Sequence, residues 1–285
     1  MRRSWSLLAG LVIAVAMYFF FNMEMWRCRN DVRSESSAEY VLPSKFSRIL
    51  SLGYRGLLSD YLFLKTAAFY GERLMTQKPL SGADWDYFAT SLDVITDLDP
   101  YFFDPYLLAE GNMAWEGKIQ EANKLLKKGM KYRSWDWRIP YFIGFNYFYF
   151  LKDYEKGAEY VMAAARLPGG PPYLKTLGSR LAYYGGKTKT GILFLKGMIA
   201  ETEDPRFRAP LEKRLLALER AEKLELLVNR FKEETGRSPA AVNELVERGY
   251  IDSLPEDPYG GKWVILPTGR IFSTSKFAST PEKQR

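Results

Sequence analysis

Residues 138–168 read RIPYFIGFNYFYFLKDYEKGAEYVMAAARLP. Their pattern is that of two helices packed back to back. Pro140 suits a first helical turn, where a missing N–H costs nothing. A second helical pattern starts at Tyr154 and Gly157, continues through Val161 and closes at Ala164 and Pro168. The pattern recurs along the chain. Ala89, Ala122, Gly157 and Gly191 fall 33, 35 and 34 residues apart, and each opens a helix with a similar apolar face. Ahead of three of them stands a further helix that starts with Pro-Tyr: PYLLAEGNMAW from 105, PYFIGFNYFYF from 140 and PYLKTLGSRLAYY from 172. One such pair cannot cover its own apolar side, so stacked neighbours must supply the missing wall. A mainly α array over residues 45–210 is therefore expected, and the Val/Ile/Thr alternation of strands is nearly absent there.

Toward the N-terminus, Leu50, Tyr54, Leu57, Leu58, Tyr61 and Leu64 follow helical steps and predict a buried face. Residues 31–44 are polar, end in Pro43-Ser44 and read as a linker leading into a helix cap. Before them, Ser4 to Met23 carries no charge, and Arg2 and Arg3 precede it. About 20 apolar residues cross a hydrocarbon core of roughly 30 Å. Tyr18, Phe19, Phe20, Phe21 and Trp26 cluster at the far end, where rings favour the membrane interface. No small-residue cleavage site follows the run. Residues 1–30 are thus expected to be an uncleaved, single-pass anchor in the inner (cytoplasmic) membrane, with the lipid bilayer meeting residues 4–23. The two-arginine tail places the rest of the chain on the extracytoplasmic side, although Arg27, Arg29 and Arg33 flank the other end.

Toward the C-terminus, Leu211, Leu215, Leu218, Leu224, Leu227, Val228 and Phe231 mark one long amphipathic helix that Gly236 ends. A shorter helix is expected from Ser238-Pro239 through Val242, Leu245 and Val246 to Gly249. Runs at Lys262–Leu266 and Arg270–Ser275, joined by Pro267-Thr268-Gly269, predict a β-hairpin. Residues 211–285 form a small α+β module on this reading, with a loose polar tail beyond Phe277.

Composition limits the chemistry. The 285 residues contain no histidine and one cysteine, Cys28. This removes a His base, a Ser-His or Cys-His dyad, a His or multi-Cys zinc site and any disulfide within one chain. The acidic pairs Asp97/Asp99 and Glu256/Asp257 sit beside prolines in turn contexts, where Asp caps and bends the chain. Gly169-Gly170-Pro171-Pro172 lacks the Lys-Ser/Thr of a phosphate loop. No catalytic residue, cofactor or metal is expected, and an enzyme of unknown reaction is the weaker alternative. The net charge of +7 raises a second alternative, a non-specific binder of nucleic acid or anionic lipid. Residues 201–285 hold 15 basic and 15 acidic residues, so nucleic acid is not the expected partner.

Two stretches stand out. From Tyr132 to Tyr154 there are eleven aromatics, and Tyr147, Phe148 and Tyr149 cannot all point inward. From Tyr160 to Ala200, Arg166, Lys175, Arg180, Lys187, Lys189 and Lys196 occur without any acid.

The repeat of about 34 residues resembles the tetratricopeptide (TPR) repeat, a helix-turn-helix unit. Its glycine positions are shifted by one residue, at Gly111 and Gly144. The resemblance implies a curved solenoid whose first helices line an inner, partner-binding face. On that face it places Phe142, Asn146 and Tyr149 from one unit, and Tyr173, Thr176, Arg180 and Tyr183 from the next. ETGRSPAAVNELVERGYIDSLPEDPYGGKW, residues 234–263, resembles the soluble head of type II secretion major pseudopilins. Gly236, Pro239, Leu245, Gly249, Tyr250, Ile251, Leu254, Pro255, Asp257, Pro258, Tyr259 and Gly260 carry that likeness. The N-terminal run lacks a pilin cleavage site and its early Glu, so polymerisation is not implied. Together the two resemblances imply a scaffold or adaptor of a bacterial envelope assembly, secretion or pilus related, with protein partners in the cell envelope.

Overall fold

The computed structural model describes residues 11, 13–27, 40–77 and 79–277. The chain divides into two compact units, 1–99 and 100–285, each mainly helical.

In the first unit residues 13–27 form helix α1. Residues 4–10 and 12 of the expected membrane segment lie outside the described residues. Among the described residues no helix is long and apolar enough to cross a membrane. Helices α2 (Ser44–Leu50), α3 (Arg55–Met75) and α4 (Gly82–Leu98) follow. A reciprocal capping box between Ser81 and Asp84 starts α4. Helix α3 packs on it through Ser59, whose hydroxyl donates to the Ile95 carbonyl at 3.2 Å, and through Tyr70, 5.1 Å from the Phe88 ring. This reverses the expected face. Leu50, Tyr54, Leu57, Tyr61 and Leu64 are 61–72% exposed, while Ser59, Thr66 and Tyr70 are buried. Bulky Trp85, Phe88, Leu92 and Ile95 fill the α4 side, so α3 meets it with small and polar groups. Leu57, Tyr61 and Leu64 each lie two residues from Ser59 or Thr66, about 200° around the helix.

The second unit stacks helical pairs. Helix α5 (Asp104–Ala109) continues into a π turn, Glu110–Ala114, and pairs with α6 (Ile119–Tyr132). Helix α7 (Arg138–Phe145) continues into a second π turn, Asn146–Phe150, and pairs with α8 (Tyr154–Arg166). Helices α9 (Tyr173–Tyr184) and α10 (Thr188–Ala200) form the third pair, and α11 (Pro205–Thr235) closes the row. Two small residues of the repeat mark where helices cross, whereas Ala89 lies in the middle of α4 rather than opening a helix. A Cβ on Gly157 would stand 2.8 Å from Phe148 Cβ, and one on Gly191 would stand 3.0 Å from the Ser179 carbonyl. Ala122 is fully buried.

Gly236, at φ 74°, ends α11 in the left-handed conformation. The next helix, α12, spans only Glu244–Glu247. Its expected first turn is irregular because the Glu244 carboxylate turns back, accepting from the Ala240 N–H at 2.8 Å and from Arg237. Strands β1 (Trp263–Ile265) and β2 (Ile271–Ser273) pair antiparallel, with Val264 opposite Phe272. A single core runs from Val161 and Leu195 through Leu218 and Phe231 to Ile271 and Phe277, so it crosses residue 211 without a break. Polar bonds fasten the hairpin to the last pair. Tyr183 donates its hydroxyl to the Ile271 carbonyl. Arg270 donates to the carbonyls of Tyr183 and Tyr184, satisfying the open end of α9, and lies 3.6 Å from Glu225.

Candidate interaction face

Along α7 the spacing Trp137, Tyr141, Phe145, Tyr149 is four residues at each step, which keeps the rings on one edge of the helix. They form a continuous ladder, with ring centroids 6.0 Å apart for Trp137 and Tyr141, 6.4 Å for Tyr141 and Phe145, and 5.0 Å for Phe145 and Tyr149. The last pair is stacked at 12° between planes. The wider π turn brings fourth neighbours nearer to eclipse, which favours that stack.

The preceding first helix lies alongside. Arg138 sits 3.7 Å over the Phe103 ring at one end, and Trp115 lies 5.6 Å from Tyr149 at the other. These two contacts bring Glu110 level with the middle of the ladder. Its side chain is 9% exposed and makes no hydrogen bond or ion pair with a described residue. Burial raises its pKa. Burial also pushes the Tyr141 phenol up to about 12, helped by neighbouring Tyr173 and by Glu110. Trp115, Tyr149 and Tyr173 keep 57%, 43% and 51% exposure. The result is a row of partly wetted rings across neighbouring first helices, with one desolvated carboxylate among them.

The residues expected on this face divide. Tyr149 and Tyr173 are on it. Phe142 is half-buried beside Tyr141. Thr176 is half-buried and its hydroxyl donates to the Tyr173 carbonyl. Arg180 is half-buried and its Nε is enclosed without a partner. Asn146 is fully buried and donates to Asn123 Oδ1 at 3.0 Å. Tyr183 is buried in the core against the hairpin. Tyr141 and Phe145, the ladder rings next to Phe142 and Asn146, are half-buried, as Phe142 is. Trp115 and Glu110 adjoin the ladder from the preceding first helix with no sequence signal of their own, whereas the four-residue spacing of the ladder is visible in the sequence. Of the three consecutive aromatics, Tyr147 is buried and stacks on Tyr160 at 5.7 Å, Phe148 is half-buried, and only Tyr149 faces out.

The basic stretch is partly neutralised from neighbouring helices. Lys187 pairs with Glu155 at 3.2 Å and Lys196 with Glu219 at 2.9 Å, while Arg166 lies over the Phe194 ring. The acidic turn residues are engaged as well. Asp257 accepts from the hydroxyls of Ser273 and Ser275 and from the N–H groups of Tyr259 and Gly261. Burial pushes its pKa up, but these four donors outweigh burial and hold it below the ordinary carboxylate value. Among the described residues no group of three or more Asp, Glu or Cys side chains is placed to hold a metal ion.

Comparison with known protein families, with characterised proteins and with solved structures returns no match.

Proposed function

We propose that this chain is a membrane-anchored scaffold that holds a protein partner on the first-helix face of its array. The observation that carries the reading is the aromatic ladder from Trp137 to Tyr149, extended by Trp115 and Tyr173. Rings that are partly exposed yet fixed by stacking are rigid, amphipathic contact surface, the kind that concentrates binding energy at interfaces. The uncharged run Ser4–Met23 supports a single-pass anchor with residues 30–285 outside the cytoplasm. The 34-residue period supports a TPR-like solenoid. The likeness of residues 234–263 to a pseudopilin head supports a secretion or pilus-type envelope assembly as the setting.

The test is affinity purification of the full-length protein from mild-detergent membranes, beside the double variant Trp115→Ala, Tyr149→Ala. Both side chains lie outside the buried core, at 57% and 43% exposure, so the variant is expected to fold. Envelope proteins in stoichiometric amounts with the wild type, and their loss with the variant, are the expected result. Equal recovery with both forms overturns the assignment of the partner to this face.

A further inference from the structure

We infer that the outward face of α2 and α3 lies on the surface of the membrane that holds the anchor. Helices α2 and α3 pack inward through small polar residues, Ser47 at 4% exposure and Ser59 at 0%. The opposite side of α3 presents Leu57, Tyr61 and Leu64, and α2 presents Phe46, Ile49 and Leu50 beside Ser47, each between 56% and 69% exposed. This is a run of large apolar groups directed away from the unit's own core. Isolated exposed apolar residues need no explanation, but three large ones sharing a side on each of two consecutive helices mark a surface that is covered in use.

Three observations select a lipid surface as the cover. The first is charge: between Tyr40 and Lys65 the basic residues are Lys45, Arg48, Arg55 and Lys65 against the single acid Asp60. An exposed apolar face on a segment of net positive charge is the pattern of an interfacial, in-plane membrane helix drawn to anionic headgroups. The second is ring placement, since Phe46 and Tyr61 lie within the stripe and Tyr54, 72% exposed, stands at the turn between the helices. The third is reach. Sixteen residues, 28–43, separate the end of α1 from the start of α2, a tether of at most about 55 Å when fully extended. The stripe is therefore held near the bilayer whichever way the chain runs. Docked flat, α2 and α3 would fix the height and tilt of the first unit over the bilayer.

The inference rests on the anchor reading, and spin-label accessibility separates the two. Full-length protein carrying Cys28→Ser is labelled at Leu57→Cys, Leu64→Cys, Asp86→Cys or Val15→Cys. It is then reconstituted into vesicles of phosphatidylethanolamine and phosphatidylglycerol. All four positions are exposed, so labels there leave the packing intact. The expected ratio of oxygen to nickel-chelate collisions at 57 and 64 is several-fold above that at 86, and close to that at 15. Nickel access at 57 and 64 with oxygen preference at 15 overturns the inference and leaves the anchor standing. Protection of 57 and 64 from both reagents also overturns it, because protein then covers the stripe. Nickel access at 15 as well removes the anchor and the inference together.

Discussion

Asp136 and Glu110 are two buried acids with opposite fates. Asp136 is 5% exposed. Burial raises its pKa, but hydrogen bonds from Arg138 and Arg133 outweigh that and hold it down to about 2. A carboxyl whose folded pKa is depressed contributes stability above its unfolded value, near 3.9, and loses it as pH falls through the folded one. Asp136→Asn should therefore cost about 2 kcal/mol at neutral pH, with the difference vanishing between pH 4 and about 2. Denaturant titrations across that window check it. Glu110 behaves in the reverse sense. Burial raises its pKa without a compensating partner, so its ionised form opposes folding. Its contribution is favourable below the unfolded pKa and is lost as pH rises through the folded one. Glu110→Gln should raise the denaturation midpoint at pH 7 and change little near pH 4. A midpoint lowered at pH 7 would mean that the carboxylate has a stabilising partner.

At the scale of the element, glycines separate close crossings from open turns. A Cβ on Gly144 would lie 2.7 Å from Val161 Cγ2 and 3.0 Å from the Gly157 carbonyl, whereas one on Gly111 meets nothing within 4 Å. Gly144→Ala is expected to cost roughly 1–3 kcal/mol through overpacking. Gly111→Ala should be neutral, or stabilising by up to about 1 kcal/mol from helix propensity. Thermal melts of the two variants side by side decide this, and equal effects would contradict the crossing geometry. The helical pairs were legible because period, Pro-Tyr starts and small residues repeat together. First helices do start at 104, 138 and 173, and second helices at 119, 154 and 188. Of the residues expected on the α7 face, Asn146 instead turns inward to Asn123, a pairing across helices that local spacing does not reveal. The face of α3 was inverted for a different reason. Apolar periodicity reports which residues share a side, but the choice of buried side depends on the bulk of α4 opposite.

At the scale of the whole molecule, residues 211–285 read from the sequence as a small α+β module, and within the second unit they share one core with α8, α9 and α10. Nothing in local patterning announces this, because the bonds that achieve it span nearly 90 residues, from Arg270 to Tyr183 and Tyr184. Arg270→Ala leaves the end of α9 uncapped and Glu225 without its cation. A loss of about 2 kcal/mol is expected, as for removing the hydrogen bonds of a half-buried charged donor. Hydrogen exchange should show α9 and the hairpin loosening together, and loosening of the hairpin alone would contradict a shared core. Tyr183 could not serve as a groove residue for the same reason, since the hairpin occupies its hydroxyl.

The central claim is that the aromatic face of the first helices holds an envelope partner. The most direct measurement is recovery of co-purifying protein from detergent-solubilised membranes, wild type against Trp115→Ala, Tyr149→Ala, with both forms matched for melting temperature. The account predicts a stoichiometric partner that the variant loses while it remains folded and membrane-associated. A partner retained in full by the variant, or a wild-type protein that purifies alone, would contradict it.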